Sequence, residues 1–161
     1  MKIRFVLLLL ALLALLFSAT SAVSALNPGD TAPDFAARTL DGKRVHLRDF
    51  EGRKLLLEIG TSWCPSCKQL AHQLDGLRVL LREKDVVYLA VFLGDSAESV
   101  AAYFSNEKLE KPDQILIDAD SARKAYGVYV IPRLILIDTD FRVLFDEVNG
   151  HITALKSQLN P

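Results

Sequence analysis

The sequence predicts an α/β domain in which a central β-sheet is covered by helices, and two patterns carry that prediction. Strand and helix patterns alternate along most of the chain, an order that is typical of sheets with helices on both sides. Two of the strand patterns, residues 54–60 and 86–93, are almost continuously apolar, as expected for strands that are covered on both faces. We therefore expect these two strands at the centre of the sheet.

The other elements follow from local signals. Asp41-Gly42 lies between two short runs and predicts a β-hairpin. Asp95 or Ser96 is the expected N-cap of a helix that extends to about Leu109. Leucines at helical spacing predict a helix after the second cysteine, namely Leu70, Leu74, Leu77 and Leu81. The last expected elements are a strand and a helix within 114–128, two strands within 133–148 that turn at 138–140, and a helix at 152–159.

The N-terminus has the pattern of a secretory signal peptide. Lys2 and Arg4 precede an apolar run at 5–17, and small residues follow. We expect cleavage after Ala25 or Ala22. The alternative is an uncleaved membrane anchor, although the run is shorter than the roughly 20 apolar residues that a membrane span needs. In either case the sequence predicts export of the rest of the chain.

The chain after the leader has the size and composition of one domain. With residues 1–25 as the leader, residues 26–161 form a single domain that contains no repeat and no linker. The full chain has 19 basic and 20 acidic residues, and no block of Lys or Arg stands out. These features argue against a nucleic-acid partner. The expected location is the periplasm or another extracytoplasmic compartment, with membrane attachment if the leader is retained.

The two cysteines of the chain, Cys64 and Cys67, are separated by only two residues. A disulfide between them closes so small a loop that its entropic stabilisation is about 2 kcal/mol, against about 4.7 for a hundred-residue loop. Two cysteines also make only half of a zinc site. His72 lies about 140° around the predicted helix from Cys67, and His46 and His151 are distant in sequence. We therefore expect surface or capping roles for the histidines, and neither a structural disulfide, a metal site nor a cofactor.

Local geometry favours thiol chemistry instead. A residue before proline is disfavoured in the α conformation and proline suits the first helical turn, so we expect Cys64 at the N-cap and Pro65 at N1. The sulfur of Cys64 then faces free backbone N–H groups and the positive end of the helix dipole, both of which stabilise a thiolate. Cys67 lies one turn further, within bridging reach, and is expected to be less exposed. That asymmetry separates an attacking from a resolving cysteine.

These residues resemble a known family. A strand LLLEIGTS that runs into WCPSCK and a helix, with YVIPRLILID further on, resembles the thioredoxin fold. The segment APDF (Ala32 to Phe35), the hairpin at Asp41-Gly42, and the helix and strand between Gly94 and Asp118 resemble the exported TlpA/ResA-like branch. The resemblance covers essentially all of the mature chain. It implies a central mixed β-sheet flanked by helices, with an N-terminal β-hairpin and a helix-strand insertion.

The resemblance also implies roles for individual residues. Cys64 and Cys67 match the nucleophilic and resolving cysteines. Glu58 matches the buried acid that relays a proton to the resolving thiol. Ile131-Pro132 matches the cis-proline loop that faces the cysteines and pairs with an extended substrate backbone. Trp63 is expected to shield the cysteines and to offer a flat contact surface for substrates, although a lone aromatic residue can also be simple packing.

Glu58 has a physical argument of its own. A carboxylate between Leu57 and Ile59 in a strand covered on both faces is costly to bury, so its pKa is expected to be raised into a range suited to proton transfer. The alternative is an ordinary carboxylate that is turned to solvent at a sheet edge.

Some positions depart from the family pattern. Val130 stands where many relatives have glycine, and Arg133 stands where threonine is common. Arg133 is expected either to tune Glu58 or attract acidic partners, or to be a solvated charge at a strand end. His151 follows Gly150 in a loop that lies near the active site in relatives, and is a weaker candidate for an effect on the thiolate.

Together these features predict an exported thiol:disulfide oxidoreductase that reduces disulfides of other exported proteins. The resemblance suggests a membrane electron-relay protein of the DsbD/CcdA type as reductant and apocytochrome c as a client. Three alternatives remain open. A disulfide-forming oxidant shares every residue and differs only in potential. A peroxiredoxin-like peroxidase has a Pro-x-x-x-Thr-x-x-Cys signature that this sequence lacks, and a Sco-like copper chaperone uses a longer C-x-x-x-C spacing.

Overall fold

The structure, a computed structural model, describes residues 26–159 and shows one seven-stranded mixed sheet. The strands are β1 (Ala36–Thr39), β2 (Arg44–His46), β3 (Lys54–Gly60), β4 (Val86–Phe92), β5 (Gln114–Ile117), β6 (Arg133–Ile137) and β7 (Val143–Val148). The helices are α1 (Pro65–Asp75), α2 (Arg78–Glu83), α3 (Ala97–Glu107), α4 (Asp120–Ala125) and α5 (Ile152–Leu159), with a 3₁₀ turn at Leu47–Phe50. The strand order is β2-β1-β5-β4-β3-β6-β7.

The two apolar strands lie at the centre of the sheet, as predicted. β3 pairs in parallel with β4 on one side and antiparallel with β6 on the other. Every residue of β4 is buried, and β3 is buried from Leu55 to Gly60. Glu58 is paired with Ala90 and Leu134, so it lies in the middle of the sheet rather than at an edge. The solvent-facing alternative for Glu58 is therefore wrong.

Two apolar cores cover the two faces of the sheet. Side chains of β3 alternate between them: Leu55, Leu57 and Ile59 belong to the core beneath α4 and the N-terminal segment. Leu56 belongs to the other core, which contains residues of α1, α2, α3 and α5. Because side chains alternate along a strand, Glu58 shares the face of Leu56 and points toward α1.

The N-terminal hairpin and the helix-strand insertion are confirmed. β1 pairs antiparallel with β2 around the turn that contains Gly42, whose φ is +84°. The inserted strand β5 lies between β1 and the central β4, so it joins the hairpin to the sheet. The inserted helix α3 begins at the N-cap Ser96, whose hydroxyl accepts a hydrogen bond from the N–H of Ser99 at 3.2 Å. Of the two predicted caps, Ser96 is therefore the one used.

The helical run expected from the leucine spacing is divided in two. α1 ends at Asp75, where the N–H of Gly76 still donates to the carbonyl of His72. Leu77 then has φ −104° and ψ 0°, and α2 begins after it. Glycine has a low helix propensity, which explains why the break falls here. The leucine pattern continues across the break, because α1 and α2 bury their leucines in the same core.

The predicted leader, residues 1–25, lies outside the described residues, and the prediction of a leader stays a prediction. Within residues 26–159, no helix is both long and apolar enough to span a bilayer.

Candidate active site

Cys64 lies at the N-cap of α1 with Pro65 at N1, as predicted from the local sequence. Its sulfur accepts a hydrogen bond from the N–H of Cys67 at 3.3 Å and lies 3.2 Å from the hydroxyl of Ser66. Burial opposes ionisation of the Cys64 thiol, but the hydrogen bonds with Cys67 and Ser66 together outweigh it and lower its pKa below the usual value. The structure therefore favours Cys64 as the thiolate.

Cys67 is the complementary thiol. Burial, followed by the hydrogen bond with Cys64, raises the pKa of Cys67 well above its usual range. The predicted difference in exposure is small, because Cys64 is 5% exposed and Cys67 is 3% exposed. The two thiols are both free; hydrogen bonds lower the pKa of Cys64, whereas burial is the main cause of the raised pKa of Cys67.

Gly60 at the end of β3 makes room for the Cys67 sulfur. A Cβ atom at Gly60 would lie only 2.9 Å from the sulfur of Cys67 and 3.3 Å from its Cβ. Cβ atoms essentially never approach another heavy atom closer than 3.0 Å, so any larger residue at position 60 would displace the thiol of Cys67. The sequence pattern alone did not single out this glycine.

We expect Gly60→Ala to slow the resolving step by about tenfold or more, because small displacements of reacting groups cost large factors in rate. Stopped-flow measurement of client release from the mixed disulfide would test this. Gly76→Ala is the matched control, since Gly76 has an ordinary helical φ of −64° and a Cβ there would approach backbone oxygen no closer than 3.5 Å. Equal rates in the two variants would contradict a steric role for Gly60.

Glu58 is a buried acid that accepts a hydrogen bond from a neighbouring strand. Its residue is 8% exposed, and the hydroxyl of Tyr88 on β4 donates a hydrogen bond to Oε2 of Glu58. Burial raises the pKa of Glu58 to about 7, and the hydrogen bond from Tyr88 lowers it only in part. The direction agrees with the sequence prediction, and a pKa near neutrality suits a group that exchanges protons. Tyr88 was not singled out from the sequence.

A small cavity joins Glu58 to Cys67. Its volume is about 10 Å³, close to the minimum that accommodates one water molecule. Thr61 also lines this cavity, and its hydroxyl is buried without a hydrogen-bond partner among residues 26–159. Glu58, Thr61 and Cys67 thus line one small cavity, together with apolar residues of β4 such as Phe92.

The loop before Pro132 leads into β6, whose first residue Arg133 pairs with Ile59 near the end of β3. The Ile131–Pro132 peptide bond is cis, as expected from the resemblance. Tyr129 is 78% exposed and Val130 is 50% exposed. Trp63, next to Cys64, is 71% exposed, which favours a contact surface over simple packing. These large apolar side chains are available to a partner.

The segment that carries Trp63 is anchored by a carboxylate. The backbone N–H of Ser62 donates to Oδ2 of Asp95 at 3.0 Å, and the Ser62 hydroxyl donates to Oδ1 of the same residue. Asp95 was predicted as a possible helix cap, but it bonds this loop instead. It fixes the backbone one residue before Trp63.

Both sequence interpretations of Arg133 are wrong. Arg133 is 4% exposed and its guanidinium forms a two-pronged pair with Asp146 on β7, so it is neither solvated nor available to an acidic partner. Arg133 is paired with Ile59 in the sheet, and it therefore points to the face opposite Glu58. Its partner is a cross-strand residue that sequence proximity does not indicate.

The histidines have separate positions. His46 contacts Asp34, and His72 contacts Glu107 on α3. His151 is exposed, two residues after Asn149, whose N–H donates to the carbonyl of Pro132 at 2.9 Å. Among residues 26–159, no group of three or more His, Cys, Asp or Glu side chains is arranged to hold a metal ion.

Comparison with known proteins agrees with this chemistry. The Redoxin family matches residues 27–159. The thiol-disulfide oxidoreductase ResA of Geobacillus thermodenitrificans is 32% identical over 142 residues, covering 83% of this chain and 80% of the relative. ResA of Bacillus thuringiensis subsp. konkukian is 31% identical over 132 residues, covering 81% of this chain and 73% of the relative.

A solved structure extends the comparison to the fold. The protein assigned as the thiol:disulfide interchange protein DsbE of Chlorobium tepidum matches with a TM-score of 0.73 and 27% identity, covering 84% of this chain and 96% of that protein. The predicted thioredoxin-like fold is therefore confirmed. The chain belongs to the Redoxin family and is a TlpA/ResA-like thiol:disulfide oxidoreductase of the thioredoxin superfamily.

Proposed function

We propose that this oxidoreductase is exported and reduces disulfides in other exported proteins. The observation that carries the direction of electron flow is the set of groups around the Cys64 sulfur. Its hydrogen-bond donors are the neutral N–H of Cys67 and the hydroxyl of Ser66, and no basic residue lies between the two cysteines. A thiolate that is supported by neutral donors and a helix N-terminus is stabilised moderately, which suits a reductant.

The proposed reaction uses both cysteines and the buried acid. The Cys64 thiolate attacks a client disulfide, which breaks, so that one client sulfur leaves as a thiolate and the other is bonded to Cys64. Ionised Glu58 then accepts the proton of Cys67, directly or through the shared cavity. The Cys67 thiolate attacks the sulfur of Cys64, and the second client sulfur leaves and takes up a proton. The client gains two electrons and Cys64–Cys67 becomes a disulfide.

The oxidised pair must then be reduced again. A membrane electron-relay protein of the DsbD/CcdA type is the proposed source of the two electrons, and apocytochrome c is a proposed client; the resemblance to the TlpA/ResA-like branch supports both. The signal-peptide pattern at residues 1–25 supports a periplasmic or other extracytoplasmic location, with membrane attachment if the leader is retained. N-terminal sequencing of the exported protein would show whether the leader is removed.

The reduction potential tests the proposed direction. Members of this fold range from about −270 mV for thioredoxin to about −120 mV for DsbA, a two-electron difference of about 7 kcal/mol. We expect a potential nearer the thioredoxin end and a Cys64 pKa that is lowered by its hydrogen bonds, because Cys64 has no cationic neighbour between the cysteines. Equilibration of the purified domain with glutathione or dithiothreitol measures the potential. A value above about −150 mV would instead favour disulfide formation.

A further inference from the structure

Arg133, the residue that follows the cis-proline, makes several hydrogen bonds through its buried guanidinium. Its Nε donates to Oδ1 of Asp146 at 2.7 Å, and its Nη2 donates to Oδ2 of the same carboxylate. The Arg133 and Asp146 side chains are 5% and 0% exposed. Asp146 also accepts a hydrogen bond from the backbone N–H of Leu26 at 2.9 Å. The guanidinium is therefore held in one orientation by a buried carboxylate.

The same guanidinium reaches back to the start of the cis-proline loop. Nη1 of Arg133 donates to the carbonyl of Tyr126 at 2.6 Å and to that of Gly127 at 3.3 Å. Residues 128–132 lie between these carbonyls and Arg133 itself. One residue thus fixes both ends of the loop, the far end through its side chain and the near end through the peptide bond to Pro132.

We propose that Arg133 is a positioning residue for protein clients, which holds residues 128–132 in the shape that receives an extended client backbone. The proposal rests on the proposed function as a reductant of protein disulfides. The loop carries Tyr129 and Val130, both largely exposed, and its backbone has few other ties, among them the hydrogen bond from Asn149 to the carbonyl of Pro132. Orienting these groups before the client arrives reduces the entropy that binding costs.

This role predicts that loss of Arg133 affects the reduction of protein clients more than the reduction of small disulfides. A small disulfide needs only the Cys64 thiolate, and the hydrogen-bond partners of that sulfur, Cys67 and Ser66, are not among the hydrogen-bond partners of Arg133 within residues 26–159. A protein client also needs the ordered loop. Loss of the Arg133 contacts should therefore raise KM for a protein client by about tenfold. That factor is what binding loses when one or two side chains of the loop must be ordered by the client itself. The rate with a small disulfide should change by less than about threefold.

Two variants test the proposal without leaving an unpaired buried charge. Arg133→Met combined with Asp146→Leu replaces the ion pair by apolar side chains, a change that is often tolerated. Arg133→Lys keeps the charge opposite Asp146 but has no planar group that can bond the carboxylate and two carbonyls together. Arg142→Met is the matched control, because Nη1 of Arg142 also donates to a backbone carbonyl, that of Gly29, away from the loop.

The measurements are KM and kcat for the reduction of insulin disulfides, the rate of reduction of a small aromatic disulfide, and the backbone order parameters of Tyr129 and Val130. We expect both Arg133 variants to raise KM for insulin and to lower the order parameters from about 0.85 toward 0.6, while the control changes neither. Unchanged KM and unchanged order parameters would overturn the proposal. If the wild-type protein fails to reduce insulin, the proposed function fails, and the order parameters alone then decide whether Arg133 positions the loop.

Discussion

Cys64→Ser will abolish thiol–disulfide exchange, whereas Cys67→Ser will permit one attack and then accumulate the mixed disulfide. The reason is the geometry of the α1 N-terminus. Only Cys64 accepts a hydrogen bond from the first-turn N–H of residue 67, and its pKa is lowered while that of Cys67 is raised. The thiolate is the nucleophile in exchange, so removal of Cys64 removes the attacking group.

Two measurements check this assignment. Non-reducing electrophoresis of the Cys67→Ser protein with a disulfide-bonded client should show a covalent complex that is cleaved by dithiothreitol. Alkylation of the reduced wild-type protein with limiting reagent at neutral pH, followed by peptide mapping, should modify Cys64 first. Faster modification of Cys67 would reverse the roles of the two cysteines.

Glu58→Gln will slow client release by about a hundredfold, because a positioned general base contributes about 10²–10⁴-fold. Burial raises the pKa of Glu58 to about 7, so the wild-type rate should rise with pH as this carboxyl ionises. Glutamine cannot accept the proton and should remove that rise. Glu83→Gln, at the exposed end of α2, is the control. A pH–rate profile that is the same in Glu58→Gln and wild type would rule out the relay.

The same substitution should change stability in a pH-dependent way. The pKa of Glu58 is about 7 in the folded protein, and its ordinary value, which applies to the unfolded chain, is 4.5. Between pH 4.5 and pH 7 the folded state therefore keeps a proton that the unfolded state has lost. Ionisation then favours unfolding, and the wild-type protein loses about 3 kcal/mol of stability as pH rises through this window. Below pH 4.5 the carboxyl is neutral in both states and the loss is absent. Urea unfolding at pH 4 and pH 8 should show a loss that is larger in wild type than in Glu58→Gln by about this amount.

Local sequence rules predicted the parts of the site that depend on neighbours along the chain. Pro65 places Cys64 at the N-cap because proline restricts both itself and the residue before it. The apolar run around Glu58 predicted a central strand, and hence a buried acid with a raised pKa. The cis bond before Pro132 was predicted only from the resemblance, because most X–Pro bonds are trans and no local pattern indicates otherwise.

The parts that depend on strand pairing could not be predicted. Tyr88 bonds Glu58 because β3 and β4 pair with Glu58 opposite Ala90, a register that no local pattern specifies. Arg133 is buried because β7 brings Asp146 beside it. Seen in the sequence alone, an arginine at a strand end is most often solvated. Both corrections come from contacts between residues on different strands.

The bond between Ser62 and Asp95 limits how far this active site can be transplanted. Asp95 lies just before the inserted helix α3, while Ser62 lies just before the cysteines. A chimera that moved only the segment from Thr61 to Lys68 into another scaffold would leave its anchor behind. The cysteine motif is therefore not a self-contained module in this protein. Part of its support comes from Asp95 at the start of the insertion, so a transplant should carry that carboxylate with the motif.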